Sequence, residues 1–209
     1  MESERLQTLR HKARVLEELG EKVLEALADA VDAARDDLRK YWTTLPDIAA
    51  QSSARGMANW IHDRVWSHAC RLLDSNDDVV CYEKGPFREV IVQDRYRMRL
   101  KRHRPPAAVA TYPTQGALEF MEQPDGQLVL AGMEQLRLIC GYVWNEDSAA
   151  LGLAVLSMRH GIKNVLWVHE LSSTGASATP LPGREGPTPS IVRSRLDGMI
   201  EEAQRFHRS

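Results

Sequence analysis

The chain has 209 residues, 43% of them hydrophobic and 27% charged, with a formal net charge of −2. That is enough apolar material for one sizeable core and too little length to require two. The near-neutral balance excludes a globally basic nucleic-acid binder and an acidic disordered tail, so any electrostatic partner site has to be a local patch.

Residues 1–14 are charged from the start and hold no apolar run of the ~7 to 15 residues a signal peptide needs. From Glu4 to about Trp42 there is no proline, and Leu6, Leu9, Leu16, Leu19, Val23, Leu27, Val31 and Leu38 recur at spacings of three, four or seven. This predicts a long amphipathic helix over residues 1–45, bent at Gly20. Its apolar stripe has to pack on something, because a lone helix of this kind gains little stability by itself. The candidates are the rest of the domain, a second copy of the chain or a partner protein.

Leu45-Pro46-Asp47 ends that helix, and the Ser52-Ser53 pair is placed to cap the next, predicted from Ala54 to Leu73. Met57, Ile61, Val65 and Leu72 form its inward face, while Asn59, His62, Asp63 and Trp66 fall on another. After a polar break at residues 74–78, three β-rich runs follow: Val79 to Glu83, Glu89 to Gln93 and Arg95 to Lys101. Lys84-Gly85-Pro86 and a turn near Asp94 separate them, which suggests an antiparallel meander.

Beyond Pro105-Pro106 an irregular stretch leads to Thr114, a candidate cap for a short helix reaching about Gln123. Strands are then expected at Leu128 to Met133, Gln135 to Trp144, Leu151 to Met158 and Asn164 to Leu171. Residues 172–190, rich in Ser, Thr, Gly, Pro and Ala, read as a mobile linker, and residues 191–209 as a C-terminal helix. The fold class is therefore α+β: long N-terminal helices, a mainly antiparallel sheet in a core domain over residues 54–171, a linker and a last helix.

No segment approaches the ~20 continuous apolar residues of a membrane span, so no membrane partner is expected. The three cysteines, Cys70, Cys81 and Cys140, are odd in number and lie among apolar neighbours. They read as reduced core residues of a cytoplasmic protein. No cofactor and no metal is expected.

The most distinctive local feature is the run from Arg95 to Arg104. Alternation along a strand puts Arg95, Arg97, Arg99 and Lys101 on one side and Tyr96, Met98 and Leu100 in the core. Such a row suits phosphate oxygens, since repeated cations displace condensed counterions without reading a base. The plainer reading is a strand face neutralised by acidic side chains of the N-terminal helices. Glu83, Glu89 and Asp94 ahead of Lys101 raise a metal-dependent nuclease. Against it, Arg99 stands where an acid-x-Lys strand would carry its second carboxylate.

A candidate pocket is drawn from His62 and Asp63 on the second helix, Tyr112, Thr114 and Gln115 at a proline-fixed turn, and Tyr142 near a strand end. A hydrogen-bonded histidine, a helix cap and a core strand explain the same residues without a ligand. Trp60-Ile61-His62-Asp63, Arg99-Leu100-Lys101, Tyr112-Pro113-Thr114-Gln115 and Gly141-Tyr142 together resemble a family of uncharacterised bacterial and phage proteins. The genes of that family often lie beside a helix-turn-helix regulator or a metallopeptidase of the ImmA/IrrE type on prophages and other mobile elements. The likeness spans about residues 55–171, with Leu100 where the family pattern has an aromatic. It implies a setting of phage–host conflict or gene regulation and no particular reaction. The expectation is an accessory or regulatory protein of a mobile-element, toxin–antitoxin or phage-defence system, binding a protein partner or itself through the terminal helices. The alternatives are nucleic-acid binding by the basic strand and, below that, a divergent nuclease or toxin.

Overall fold

The computed structural model describes residues 11–85, 87–104, 108–123, 135–146 and 148–174. The N-terminal periodicity becomes two helices rather than one bent helix: α1, Lys12–Leu19, and α2, Glu21–Thr44. Gly20 separates them at φ 77°, ψ 152°, a conformation open to glycine and strained for other residues. Along α2 the buried positions Val23, Leu27, Ala30, Val31, Ala34 and Leu38 repeat at helical spacing and form one stripe. A short helix that the periodicity does not reveal, α3, Pro46–Gln51, starts with proline in its first turn, where the missing N–H costs nothing.

The second long helix, α4, Ala54–Leu73, has the expected bounds, and Ser53 Oγ accepts from Gly56 N at 3.0 Å. Met57, Ile61 and Val65 of the expected inward face are buried, and the face extends further than expected. Trp66 and Leu73 are buried, whereas Leu72 is only half-buried. Trp66 turns inward because its one polar atom is satisfied there, the indole N–H donating to Glu83 Oε2 at 3.0 Å.

The strands are β1, Val79–Lys84; β2, Phe87–Val92; β3, Tyr96–Arg104; β4, Ala108–Ala110; β5, Leu136–Asn145; β6, Ala150–Arg159; and β7, Val165–Leu171. A short helix, α5, Gln115–Met121, stands between β4 and β5, capped by Thr114 as expected. The strands make one seven-stranded sheet in the order β1-β2-β3-β5-β6-β7, with β4 paired to the end of β3. All pairings are antiparallel except β3 with β5, which run parallel. The chain is thus α+β with a mainly antiparallel sheet, and the parallel pair is the departure from a simple meander. The expected strand at residues 128–133 lies outside the described residues.

Helices α1, α2 and α4 pack on one face of the sheet. Val15, Leu19, Val23, Leu27, Val31 and Leu38 share a single apolar cluster with Ile61, Val65, Tyr96, Met98, Leu138, Leu156 and Met158. The N-terminal helices therefore belong to the same core as residues 54–171, and their apolar stripe is spent on the sheet. A smaller cluster, Phe120, Met121 and Ile139 with Val109, lies under α5 on the opposite face. The chain divides into units Met1–Ser177 and Ala178–Ser209. The second unit and most of the predicted linker lie outside the described residues. The described start of that linker is tied down: Ser173 Oγ donates to Asp32 at 2.6 Å and Thr174 Oγ1 to Asp29 at 2.7 Å, both on α2.

Candidate functional site

Alternation along β3 holds from Tyr96 onward: Tyr96, Met98 and Leu100 are buried in the main core and Arg97, Arg99 and Lys101 face the other way, whereas Arg95 stands in the turn before the strand and turns to the helix side. What occupies those cations is visible only in the folded chain. Arg95 pairs with Glu18 of α1 at 2.8 Å, and the Tyr96 hydroxyl bonds the same carboxylate. Arg97 and Arg99 converge on Glu89 of β2, whose side chain is 3% exposed; Arg97 Nε lies 2.8 Å from Oε2 and Arg99 Nε 2.8 Å from Oε1. Arg99 also donates to the Gly116 carbonyl of α5 at 3.2 Å, and its guanidinium stacks 3.9 Å from the Phe120 ring.

Arg97 sits directly opposite Arg137 on β5, a like-charge pair that by itself is unfavourable. The fold offsets it by turning Arg137 onto the Glu119 and Glu122 carbonyls at the end of α5, the latter at 3.0 Å. Burial first, then Arg97 and Arg99, hold the Arg137 pKa below the usual arginine range. Lys101 alone of the row has no carboxylate partner among the described residues; burial, then Arg99, lower its pKa. The reading of the row as a neutralised layer fits Arg95, Arg97 and Arg99, although Glu89 of the sheet supplies the counter-charge to two of them.

The acids of the nuclease reading do not converge. Glu83 lies on the helix side of the sheet against Arg88 and Trp66, Glu89 lies on the far side, and Asp94 occupies the β2–β3 turn at φ 52°. Among the described residues no cluster of three or more His, Cys, Asp and Glu side chains is placed to hold a metal ion.

The six candidate pocket residues split between the two faces. On the helix side, Arg88 of β2 organises the site: it pairs with Asp63, donates to Glu83 Oε1 at 2.8 Å and reaches His62 Nδ1 at 3.4 Å. Its hydrogen bond to Asp63 leads in raising the Arg88 pKa, and burial, then Arg88 and Lys101, lower that of His62. This keeps His62 neutral at physiological pH. Tyr142 is in the main core, its phenol pushed up to about 12 by burial. On the far side Thr114 Oγ1 accepts from Ala117 N at 3.3 Å, and Gln115 donates to Glu119 at 2.8 Å, so both serve α5. Tyr112 is 84% exposed. The three thiols are free, with burial pushing Cys70 and Cys140 up to about 12, far from thiolate chemistry.

Arg88 carries no sequence signal, because it alternates with Val90 and Val92 on a strand and belongs to no motif. A second omission is a buried pair, His103 Nε2 and Ser157 Oγ, 3.1 Å apart. The third omission is the outer face of β1 and β2, where Val80, Tyr82 and Phe87 are 53%, 39% and 48% exposed on neighbouring positions. Apolar residues grouped at a sheet edge, rather than scattered singly, are the surface signal of an interaction site. No helix among the described residues is long and apolar enough to cross a membrane. No family model, curated protein or solved structure matches the chain.

Proposed function

We propose that this chain is an accessory or regulatory protein of a mobile-element, toxin–antitoxin or phage-defence system that acts in the cytoplasm by binding another polypeptide. The setting rests on the sequence resemblance, and free cysteines suit a reducing compartment. The observation that supports the mode of action is the edge of the sheet: among the described residues β1 is paired on one side only, and Val80, Tyr82 and Phe87 stand exposed beside it. Such an edge takes up an extended strand through main-chain hydrogen bonds, with the outer side chains selecting the partner.

The terminal-helix route is less well supported on the N-terminal side, since the stripe of α1 and α2 is already in the core. Nucleic-acid binding keeps one specific observation in its favour, the half-buried Lys101 in a row of cations, which has no carboxylate partner among the described residues. The test is co-expression with the product of the adjacent gene and affinity purification, comparing wild type with Tyr82→Lys. Capture lost in Tyr82→Lys, with unchanged circular dichroism, supports the reading. Capture that survives the substitution, or salt-steep nucleic-acid binding lost in Lys101→Ala instead, overturns it.

A further inference from the structure

Cys70 and Cys81 carry no pairing signal in the sequence, where residues 71–80 separate them, yet the fold sets them face to face. Helix α4 ends at Leu73, and the chain reverses through a turn held by Asn76. The Asn76 N–H donates to the Leu73 carbonyl at 3.0 Å, its carbonyl accepts from Val79 N at 3.0 Å, and its Oδ1 accepts from Asp78 N at 3.1 Å. Strand β1 therefore runs back beneath the helix that precedes it. Val79, Cys81 and Glu83 oppose Val92, Val90 and Arg88 of β2 and share the helix side of the sheet.

Two repeats then fall into step. Four helical residues advance about 6 Å, and two strand residues about 6.6 Å. The Trp66 indole N–H donates to Glu83 at 3.0 Å. Four residues on along α4 is Cys70, and two residues back along β1 is Cys81; the next step ends at Leu73 and Val79, both packed in the main apolar cluster. The two thiols accordingly meet, the Cys70 S–H donating to the Cys81 sulfur. Both are half-buried at the helix–sheet seam, within reach of a small solute. Cys140, 1% exposed on β5, is closed off from solvent and has β2 and β3 between it and β1.

The same contact sets an order of reaction. Burial pushes both thiols up; the hydrogen bond adds to it at Cys70, which reaches about 12, and works against it at Cys81. Cys81 is therefore the more readily ionised sulfur, and Cys70 is held protonated beside it.

We propose that Cys70 and Cys81 are a modification site: a reversible dithiol–disulfide pair, closed by a low-molecular-weight disulfide, that staples α4 to β1. Cys81 gives its proton to solvent, and its thiolate attacks one sulfur of the disulfide RSSR, expelling RS⁻, which is protonated to RSH. Cys70 then loses its proton and attacks the Cys81 sulfur of the mixed disulfide, expelling the second RS⁻, which is protonated in turn. Two protein thiols are oxidised and one RSSR is reduced to two RSH. Thiols in hydrogen-bonding contact close to the ~2.05 Å of the new bond by side-chain rotation. Sulfurs of high pKa ionise rarely and leave slowly, so the staple forms slowly and, once formed, lasts; in a reducing compartment the pair rests as the dithiol. None of this depends on which partner binds the β1 edge.

The test is incubation of the folded full chain with oxidised glutathione, followed by alkylation, intact mass and non-reducing peptide mapping. The expected product is a chain lighter by two hydrogens, with the Cys70 and Cys81 peptides joined, reversed by dithiothreitol and leaving Cys140 unmodified. Its rate should rise about tenfold per pH unit between about pH 7 and 8.5, as the thiolate fraction does below a raised pKa. Cys70→Ser should stop at a Cys81–glutathione mixed disulfide. Cys81→Ser should react at Cys70 at least about tenfold more slowly. Circular dichroism checks that both variants are folded, and the wild-type result stands without them. A wild type that halts at the mixed disulfide, that joins either cysteine to Cys140 or to another chain, or that reacts only in urea overturns the proposal.

Discussion

His103 shows how a residue inside the basic run is used by the fold rather than by a ligand. It is 2% exposed and shares its Nε2 with Ser157, and burial, then Arg159, brings its pKa down to about 4. An unfolded chain would titrate this group near 6.5, so between pH 6.5 and about 4 the unfolded state binds the extra proton. Stability is therefore untouched by His103 above about pH 6.5 and falls as pH drops toward 4, by about 3 kcal/mol in full at ~1.4 kcal/mol per unit. Urea denaturation at pH 7 and pH 4.5 should show the wild type losing about 2 to 3 kcal/mol more than His103→Gln across that interval. Equal losses would mean the imidazole is not held neutral. At the same scale, alternation along β3 was legible in the sequence and put Tyr96, Met98 and Leu100 inside. The partner of Arg97 and Arg99 was not, because Glu89 reaches them across a strand pairing, and register is not a property of either strand alone.

Among the elements, β5 depends on one residue that the sequence presents only as part of a short motif. Gly141 lies at φ 148° beside Lys101, and a Cβ there would come within 2.0 Å of the Lys101 carbonyl oxygen. No side-chain rotation relieves a clash with main chain, so β3 and β5 would have to part where they run parallel. Gly141→Ala should therefore cost more than about 4 kcal/mol, enough to lower the melting temperature sharply or to prevent accumulation of folded protein. A variant within a few degrees of wild type would mean the close approach is relaxed in solution. The helices were more legible: the Ser53 and Thr114 caps and the bounds of α4 follow from local chemistry that needs no distant contact. The exceptions, α3 and the inward turn of Trp66, depend on where neighbouring elements lie.

For the whole molecule, the question is whether the N-terminal helices are an appendage or part of the body. Val15, Leu19, Val23, Leu27, Val31, Ala34 and Leu38 lie in the same cluster as the sheet. At about 2 kcal/mol for each fully buried Val or Leu side chain, the six of them contribute about 12 kcal/mol, comparable to the usual stability of a whole domain. Deleting residues 1–44 should abolish the sheet's cooperative thermal transition and leave a chain rapidly cut by protease. A deletion variant that unfolds cooperatively would show that the sheet supports its own core. Among the described residues the two edges of the sheet also differ: Lys12 donates to the Val168 carbonyl of β7, while Val80 and Tyr82 of β1 stand exposed.

The sequence by itself determined the class and order of elements, since helical period, alternation, caps and turn residues act within a few positions of one another. It also limited the chemistry, because a near-neutral chain with isolated cysteines offers no global electrostatic or thiol signature. Only the tertiary structure decided that the arginine row is held by Glu89 and the end of α5, that Arg88 gathers His62, Asp63 and Glu83, and that β1 lies at an edge. Each of these depends on which strand lies beside which, and in what register. That choice is made by the packing of the whole core, to which distant segments contribute together, so no local stretch of residues encodes it.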